Sequence, residues 1–258
     1  MNAASLPNSA APDAGRSRLE GAQPIQLIPA PCPGQSAPHE PALAGLVPFS
    51  SVDWPGQLAA VLFIGGCPWR CHYCHNPHLQ ERSSQYHWQA VRDWLHSRRG
   101  LLDGVVLSGG EPLSEAALPG MIAELKAMDF KVALHSAGIY PQRLAAVLPN
   151  LDWVGFDVKT DADGHDALTG RVRSHWPTGI SLEMLLASPC PFECRTTWSP
   201  AWLSEARLLA LAESLAERGV RHYAVQNYRS SPDVPPDAVL SLSAQSQLAQ
   251  WFERFEYR

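Results

Sequence analysis

Apolar runs of strand length alternate with segments of helical period along most of this chain, and that alternation limits the folds open to it. The runs are Leu58–Ile64, Gly104–Leu107, Lys131–Leu134, Trp153–Val158, Phe192–Thr197 and His222–Val225. Between and after them lie His87–Arg99, Glu115–Met128, Pro141–Leu148, a broken stretch from Asp163 to Ala187, Leu203–Arg218 and Ala238–Phe252, which read as helices. Gly100 and Gly219 stand where two helices should stop, and Ser204-Glu205 where one should start. Strands joined by helices pair in parallel, because each helix returns the chain to the same end of the sheet. Crossovers of one hand can curl such a sheet into a full or partial barrel, so the pattern predicts an α/β fold with a parallel sheet. Reactive groups then belong in the loops that leave the C-terminal strand ends.

Composition narrows the class. At 258 residues and 45% hydrophobic content the chain can bury a sizeable core without disulfides. Twenty Lys and Arg against 25 Asp and Glu give a net charge of −5, with no global basic field for nucleic acid. No apolar run is long enough to span a bilayer, and the N-terminus has no apolar signal-peptide core. A cytoplasmic protein without a nucleic-acid or membrane partner is expected. Residues 1–44 hold 8 of the 23 prolines and no aromatic residue. So little apolar surface does not offset the entropy of ordering, and the stretch reads as a disordered tail ahead of one domain over residues 45–258. Cys32, between Pro31 and Pro33, is then a lone thiol.

Three of the six cysteines fall in one loop directly after the first strand: Gly65-Gly66-Cys67-Pro68-Trp69-Arg70-Cys71-His72-Tyr73-Cys74-His75-Asn76-Pro77. Six cysteines are too few for a disulfide scaffold, and in a reducing compartment such a group points to a metal or redox centre. The spacing is C-x3-C-x2-C. Iron–sulfur clusters usually take four thiolates, so three would leave one iron open, as an open position distinguishes a catalytic zinc from a structural one. Cys71 to His75 also fits the haem-attachment pattern C-x2-C-H, but that leaves Cys67 idle and belongs to exported proteins. A structural zinc on Cys67, Cys71, Cys74 and His75 or His78 is a further reading, without the second ligand pair of a zinc finger. Three unrelated thiols would not explain the clustering in a Gly-flanked loop.

On these residues the chain resembles the radical S-adenosylmethionine (SAM) superfamily, whose signature is C-x3-C-x2-C with an aromatic before the last cysteine, here Tyr73. Gly45-Leu46-Val47-Pro48, Ser51-Val52-Asp53-Trp54-Pro55-Gly56 and Tyr73-Cys74-His75-Asn76-Pro77 are similar to segments of glycyl radical enzyme activating proteins. Those assigned to anaerobic ribonucleoside-triphosphate reductase are the nearest, over about residues 45 to 228. The resemblance implies a partial (β/α)6 barrel carrying a [4Fe-4S] cluster on Cys67, Cys71 and Cys74, with SAM chelated to the open iron and cleaved by one electron to methionine and a 5′-deoxyadenosyl radical. It implies a glycyl radical enzyme as partner, in first place that reductase, and flavodoxin or ferredoxin as electron donor. Action on another glycyl radical enzyme or a peptide is the alternative within the chemistry. A non-enzymatic iron–sulfur or zinc module is the alternative outside it.

By the same resemblance, Gly109, Gly110 and Glu111 form the Gly-Gly-Glu motif that meets the SAM ammonium, glycine allowing the backbone to approach a ligand closely. Asp157 and Lys159 share a face by period two, and Lys159 suits the SAM carboxylate, a surface ion pair being the plainer reading. Arg195 and Thr197 are expected on the adenosyl side, Gln226-Asn227-Tyr228 at the substrate-facing end, and Tyr73 near the adenine or shielding the cluster. Two features depart from the family pattern. His135-Ser136-Ala137-Gly138 stands where pyruvate formate-lyase activating enzymes carry an Asp-led segment associated with a monovalent cation, and histidine is a poor ligand for one. Cys190 and Cys194 have no counterpart and read as buried free thiols. Trp88, Val91, Trp94 and Leu95 read as a core-facing stripe, and Arg98-Arg99 as a helix C-terminal charge preference.

Overall fold

The computed structural model describes residues 40–230, 234–236 and 238–258. Within them a single sheet runs in spatial order β1 (Leu43–Ser50), β2 (Ala59–Ile64), β3 (Gly104–Gly109), β4 (Lys131–Ser136), β5 (Trp153–Asp157), β6 (Phe192–Trp198), β7 (His222–Asn227) and β8 (Arg254–Tyr257). β2 through β8 are parallel, and β1 pairs antiparallel with β2. The helices are α1 (Trp88–His96), α2 (Leu118–Ala127), α3 (Pro141–Val147), α4 (Ala162–Thr169), α5 (His175–Leu186), α6 (Glu205–Glu217) and α7 (Leu242–Trp251). Asp161, Ser204 and Ser241 start α4, α6 and α7 by accepting a backbone N–H three residues on. Each of the six expected strands and each expected helical segment is present, the broken stretch resolving into α4 and α5 around Gly170, whose φ of +66° is a left-handed helix stop.

Period two divides β2, β3, β4 and β5 between two apolar cores. Outward residues such as Leu62, Leu107, Leu134, Phe156 and Tyr223 pack with the helices, including the expected stripe Trp88, Val91, Trp94 and Leu95. Inward residues nearest the strand starts, Ala59, Val61, Val106, Ala133 and Trp153, form a second cluster inside the curl. Trp54, from the turn joining β1 to β2, enters that cluster and stacks on Trp153 at 6.2 Å, plugging one end. Farther along the same inward rows the residues become polar: Ser108, His135, Asp157, Arg195, Thr197 and Gln226. The apolar plug and the polar rim thus come from one alternation read along six strands.

Two strands were not expected. β1 is interrupted by register shifts around Ala44 and after Val47, next to Gly45 and Pro48, so its sequence shows no clean alternation. β8 is four residues, two of them charged. β1 also corrects the proposed tail boundary: Ala42, Leu43 and Ala44 are buried, so the folded domain begins before residue 45. The remainder of the proposed tail, Cys32 included, lies outside the described residues. Cys190 and Cys194 are buried free thiols, as expected. Arg99 pairs with Asp129 and Arg98 lies over the Trp94 ring, local contacts beyond the end of α1. No helix among the described residues is long and apolar enough to cross a membrane.

Candidate active site

β2 delivers the cysteine loop to the C-terminal edge of the sheet, where backbone hydrogen bonds hold it. Gly65 N–H donates to Ala42 O (2.7 Å), Gly66 N–H to Leu79 O (2.8 Å) and Cys67 N–H to Gln80 O (3.0 Å). A Cβ on Gly65 would lie 2.7 Å from Ser83 O, so the returning chain requires glycine there. The Arg70 guanidinium donates to the carbonyls of Cys67 and Trp69, and a turn from Cys71 O to Cys74 N–H (3.1 Å) draws the last two cysteines together. All three cysteines are half-buried and line one cleft of about 400 Å³. All eleven residues nominated from the sequence as cluster or cofactor ligands line that same cleft.

The Gly-Gly-Glu turn is joined directly to the cysteine loop. Gly110 N–H donates to Ile64 O and Glu111 N–H to Gly66 O, each at 2.9 Å. Gly109 has φ +130°, and a Cβ there would lie 2.2 Å from Ile64 O; one on Gly110 would lie 2.5 Å from Gly66 O. Contact between two protein backbones therefore accounts for both glycines before any ligand is considered. Glu111 is 1% exposed, and its carboxyl accepts from Leu113 N (3.0 Å), Ser136 Oγ (2.7 Å) and Ala137 N (3.1 Å). It ties β3 to the end of β4. Burial pushes its carboxyl up to about 7, against those three donors.

Opposite stands a linear charge cluster. Asp157 accepts from Lys159 Nζ at 3.0 Å on one oxygen and from Arg195 Nε and Nη2 at 3.1 and 2.9 Å on the other. Burial disfavours charge on Asp157, but the two cations overcome it and hold the carboxyl well below the usual range. Burial likewise opposes the Lys159 charge, and Asp157 more than offsets it, so the ammonium is retained. Lys159 and Asp157 do form an ion pair, and it lines the cleft with the side chains 18% and 30% exposed. His135 is buried; its Nε2 donates to the Asp53 carbonyl (2.8 Å) and its ring meets Trp153 edge-on. Burial, with Arg195 nearby, holds it down at about 3, so this is a neutral imidazole on the cleft wall.

Further residues frame the cleft: sequence reasoning gave His75 only as a zinc alternative and Tyr228 only as substrate-facing, and it assigned no site role to Asp53, Trp69 or Trp202. Asp53 reaches the cleft from the β1–β2 turn, and Trp69 and His75 from the cysteine loop. Trp202 stacks on Tyr73 (5.1 Å), and Tyr228 stacks on His75 (5.4 Å). These contacts join residues far apart in the chain, and no spacing announces them. The aromatic before Cys74 was the one available signal. Tyr73 is 4% exposed, and its Oη has no hydrogen-bond partner among the described residues.

The donor set fits an iron–sulfur cluster. Among the described residues no three His, Cys, Asp or Glu side chains form a group that could hold a metal ion. Cys67, Cys71 and Cys74 line one cleft, and thiolates are the ligands that iron–sulfur clusters take. Burial pushes the Cys67 thiol up to about 11 and raises that of Cys71, so metal binding there must displace protons.

Residues 61–185 match the family model described as the radical SAM superfamily. That family uses a [4Fe-4S] cluster and S-adenosylmethionine. A Methanocaldococcus jannaschii protein named as a glycyl-radical enzyme activating enzyme is 27% identical over 72% of this chain and 79% of its own length. The Staphylococcus aureus pyruvate formate-lyase-activating enzyme is 33% identical over 49% of this chain, which spans 57% of that protein. Among solved structures, Streptococcus suis SuiB aligns with TM-score 0.58 at 13% identity, over 75% of this chain and 47% of SuiB. A radical SAM methyltransferase from Sphaerobacter thermophilus aligns with TM-score 0.57 at 15% identity, over 80% of this chain and 67% of that one. At those identities the likeness is one of fold.

Proposed function

We propose that this protein generates a glycyl radical on a partner enzyme, with Cys67, Cys71 and Cys74 holding a [4Fe-4S] cluster and the adjoining cleft holding SAM. The observation that carries the reading is the convergence of three cluster-type thiols, an anchored Gly-Gly-Glu turn and the Lys159–Asp157–Arg195 array on one cleft. When bound, cluster and SAM would supply the reductive radical chemistry that abstracts a hydrogen atom from a glycine Cα of the partner. The protein's own part is placement. Lys159 Nζ spends one donor on Asp157, so other N–H bonds are left to meet a carboxylate. Arg195 is locked by Asp157 and Gly155 O, a rigid wall toward the adenosyl side shared with Thr197. Tyr73, its ring 5.8 Å from Lys159 Nζ, closes the same side and offers an unpartnered hydroxyl. Glu111 acts through Ser136 and Ala137 as a positioning residue for the β4 end.

The partner we favour is anaerobic ribonucleoside-triphosphate reductase, with flavodoxin or ferredoxin as reductant in the cytoplasm. The Staphylococcus relative supports pyruvate formate-lyase as the second reading. His135 in its Asp53 and Trp153 contacts is neutral and committed, which supports the first. Incubation of the reduced, reconstituted protein and SAM with each partner separates them. The favoured reading predicts a glycyl-radical EPR doublet on the reductase alone; a doublet on pyruvate formate-lyase alone would replace it.

A further inference from the structure

The outer side of the cysteine loop carries a surface that the cleft chemistry does not use. α4 ends at Gly170, and the turn Gly170-Arg171-Val172-Arg173 leading into α5 lies against that loop. Arg70 N–H donates to Thr169 O at 2.8 Å, and a Cβ on Gly170 would lie 3.5 Å from Arg70 Cβ. Trp69 meets His165 of α4 edge-on at 5.3 Å. Cys71 is the next residue after Arg70, so one peptide bond and one hydrogen bond separate a cluster-type cysteine from this turn.

The surface has a distinct chemistry. Arg70, Arg171 and Arg173 are exposed and form no ion pair among the described residues. Between and beside them lie Val172, 82% exposed, and Trp176, 64% exposed and the one exposed tryptophan of nine. Ile180 continues the apolar strip one turn along α5. The Asp166 carboxylate accepts from the N–H groups of Arg173 and Ser174, shaping the turn; Asp163 lies a turn earlier on α4. None of the arginines nor Val172, Trp176 or Ile180 lines the cleft.

We propose that this surface is the docking site of a small acidic one-electron carrier protein that reduces the cluster; the proposal rests on the cluster reading above. One electron leaves the carrier and is taken up by the cluster, and no atom is transferred. Electron tunnelling falls steeply with distance, so the carrier must dock close to the cysteine loop, and this turn touches that loop at Arg70. A chain of net charge −5 repels an acidic partner in general, and three clustered arginines reverse the sign locally and steer the encounter. An apolar centre rimmed by charge is the usual make-up of such contacts, and transient redox interfaces bury less than about 1,200 Å², within reach of one turn and one helix face.

The test uses the reconstituted protein, a flavodoxin as probe, and two substitutions outside the cleft, Arg171→Glu and Trp176→Ser. Arg173 is left alone because its φ of +57° makes the turn sensitive there. Flavodoxin Kd is measured calorimetrically at low and high salt, and 5′-deoxyadenosine formation is driven in parallel by reduced flavodoxin and by dithionite. We expect each variant to weaken flavodoxin binding by about tenfold and to slow flavodoxin-driven turnover in proportion. Arg171→Glu should also flatten the salt dependence, and dithionite-driven turnover should equal that of the parent. Unchanged Kd and unchanged flavodoxin-driven turnover would overturn the proposal. Intact flavodoxin binding with reduced radical yield on the glycyl radical partner would also overturn it and give the face to that partner. If the parent forms no 5′-deoxyadenosine even with dithionite, the cleft reading itself has failed, an outcome separate from the binding result.

Discussion

Replacing Glu111 by Gln keeps the shape of the side chain and removes its ability to ionise. In the parent, burial raises the carboxyl from 4.5 to about 7, although Ser136 Oγ and the N–H groups of Leu113 and Ala137 all favour the charged form. A carboxyl whose folded value lies above its unfolded one stabilises the fold fully below about pH 4.5, and that contribution is lost as pH rises through about 7. Gln does not titrate. The stability difference should therefore drift in favour of Glu111→Gln with rising pH, at about 1.4 kcal/mol per pH unit over that window. The whole shift of about 2.5 units corresponds to roughly 3 kcal/mol, of which about 2 falls between pH 5.5 and 8. Because Glu111 is 1% exposed, solvent screening takes little from this figure. Urea denaturation of both proteins at pH 5.5, 7 and 8 measures it, other groups cancelling in the difference. A constant difference, or a drift toward the parent, would refute the reasoning: it would mean that three hydrogen-bond donors outweigh burial and keep Glu111 ionised throughout.

Other outcomes follow from the same contacts. Cys71→Ala should abolish the visible absorbance of a reconstituted cluster while far-UV circular dichroism stays that of the parent. Lys159→Met should leave that absorbance intact and weaken SAM binding by about tenfold or more, as loss of a charge-assisted hydrogen bond requires; equilibrium dialysis with labelled SAM checks this. Arg258→Met strands the Glu193 carboxylate, which is 2% exposed, at a cost of about 2–4 kcal/mol. The double variant Glu193→Met with Arg258→Met should recover most of that loss in a urea titration. Gly110→Ala drives a methyl group against Gly66 O and Leu79 O, so iron incorporation should fall because the cysteine loop is displaced, read as iron per chain.

Much of this architecture could be read from the chain because its information is local. Strand positions follow from runs such as Leu58–Ile64, helix starts from caps such as Ser204, and the face of Asp157 and Lys159 from period two. The placement of the cysteine loop and of the Gly-Gly-Glu turn at one edge of the sheet was legible for a related reason, since each segment leaves a strand's C-terminal end directly. Features that depend on distant partners were not legible. β1 mixes Gly45, Pro48 and two register shifts, and β8 gains its place only by pairing with β7 and sending Arg258 to Glu193. The role of Asp53 depends on a carbonyl, which side-chain chemistry does not reveal. Gly109 and Gly110 were identified as important, but the cause found here, contact with Ile64 and Gly66, lies about 45 residues away.

The central claim is that the three thiols hold a cluster that acts on SAM in the adjoining cleft. The most direct test is anaerobic reconstitution, reduction with dithionite and EPR with and without SAM, with 5′-deoxyadenosine measured on the same samples. The account predicts a [4Fe-4S]⁺ signal that changes when SAM is added and 5′-deoxyadenosine that accumulates only with both reductant and SAM. Bound zinc in place of a cluster, or a cluster signal indifferent to SAM with no 5′-deoxyadenosine, would contradict it.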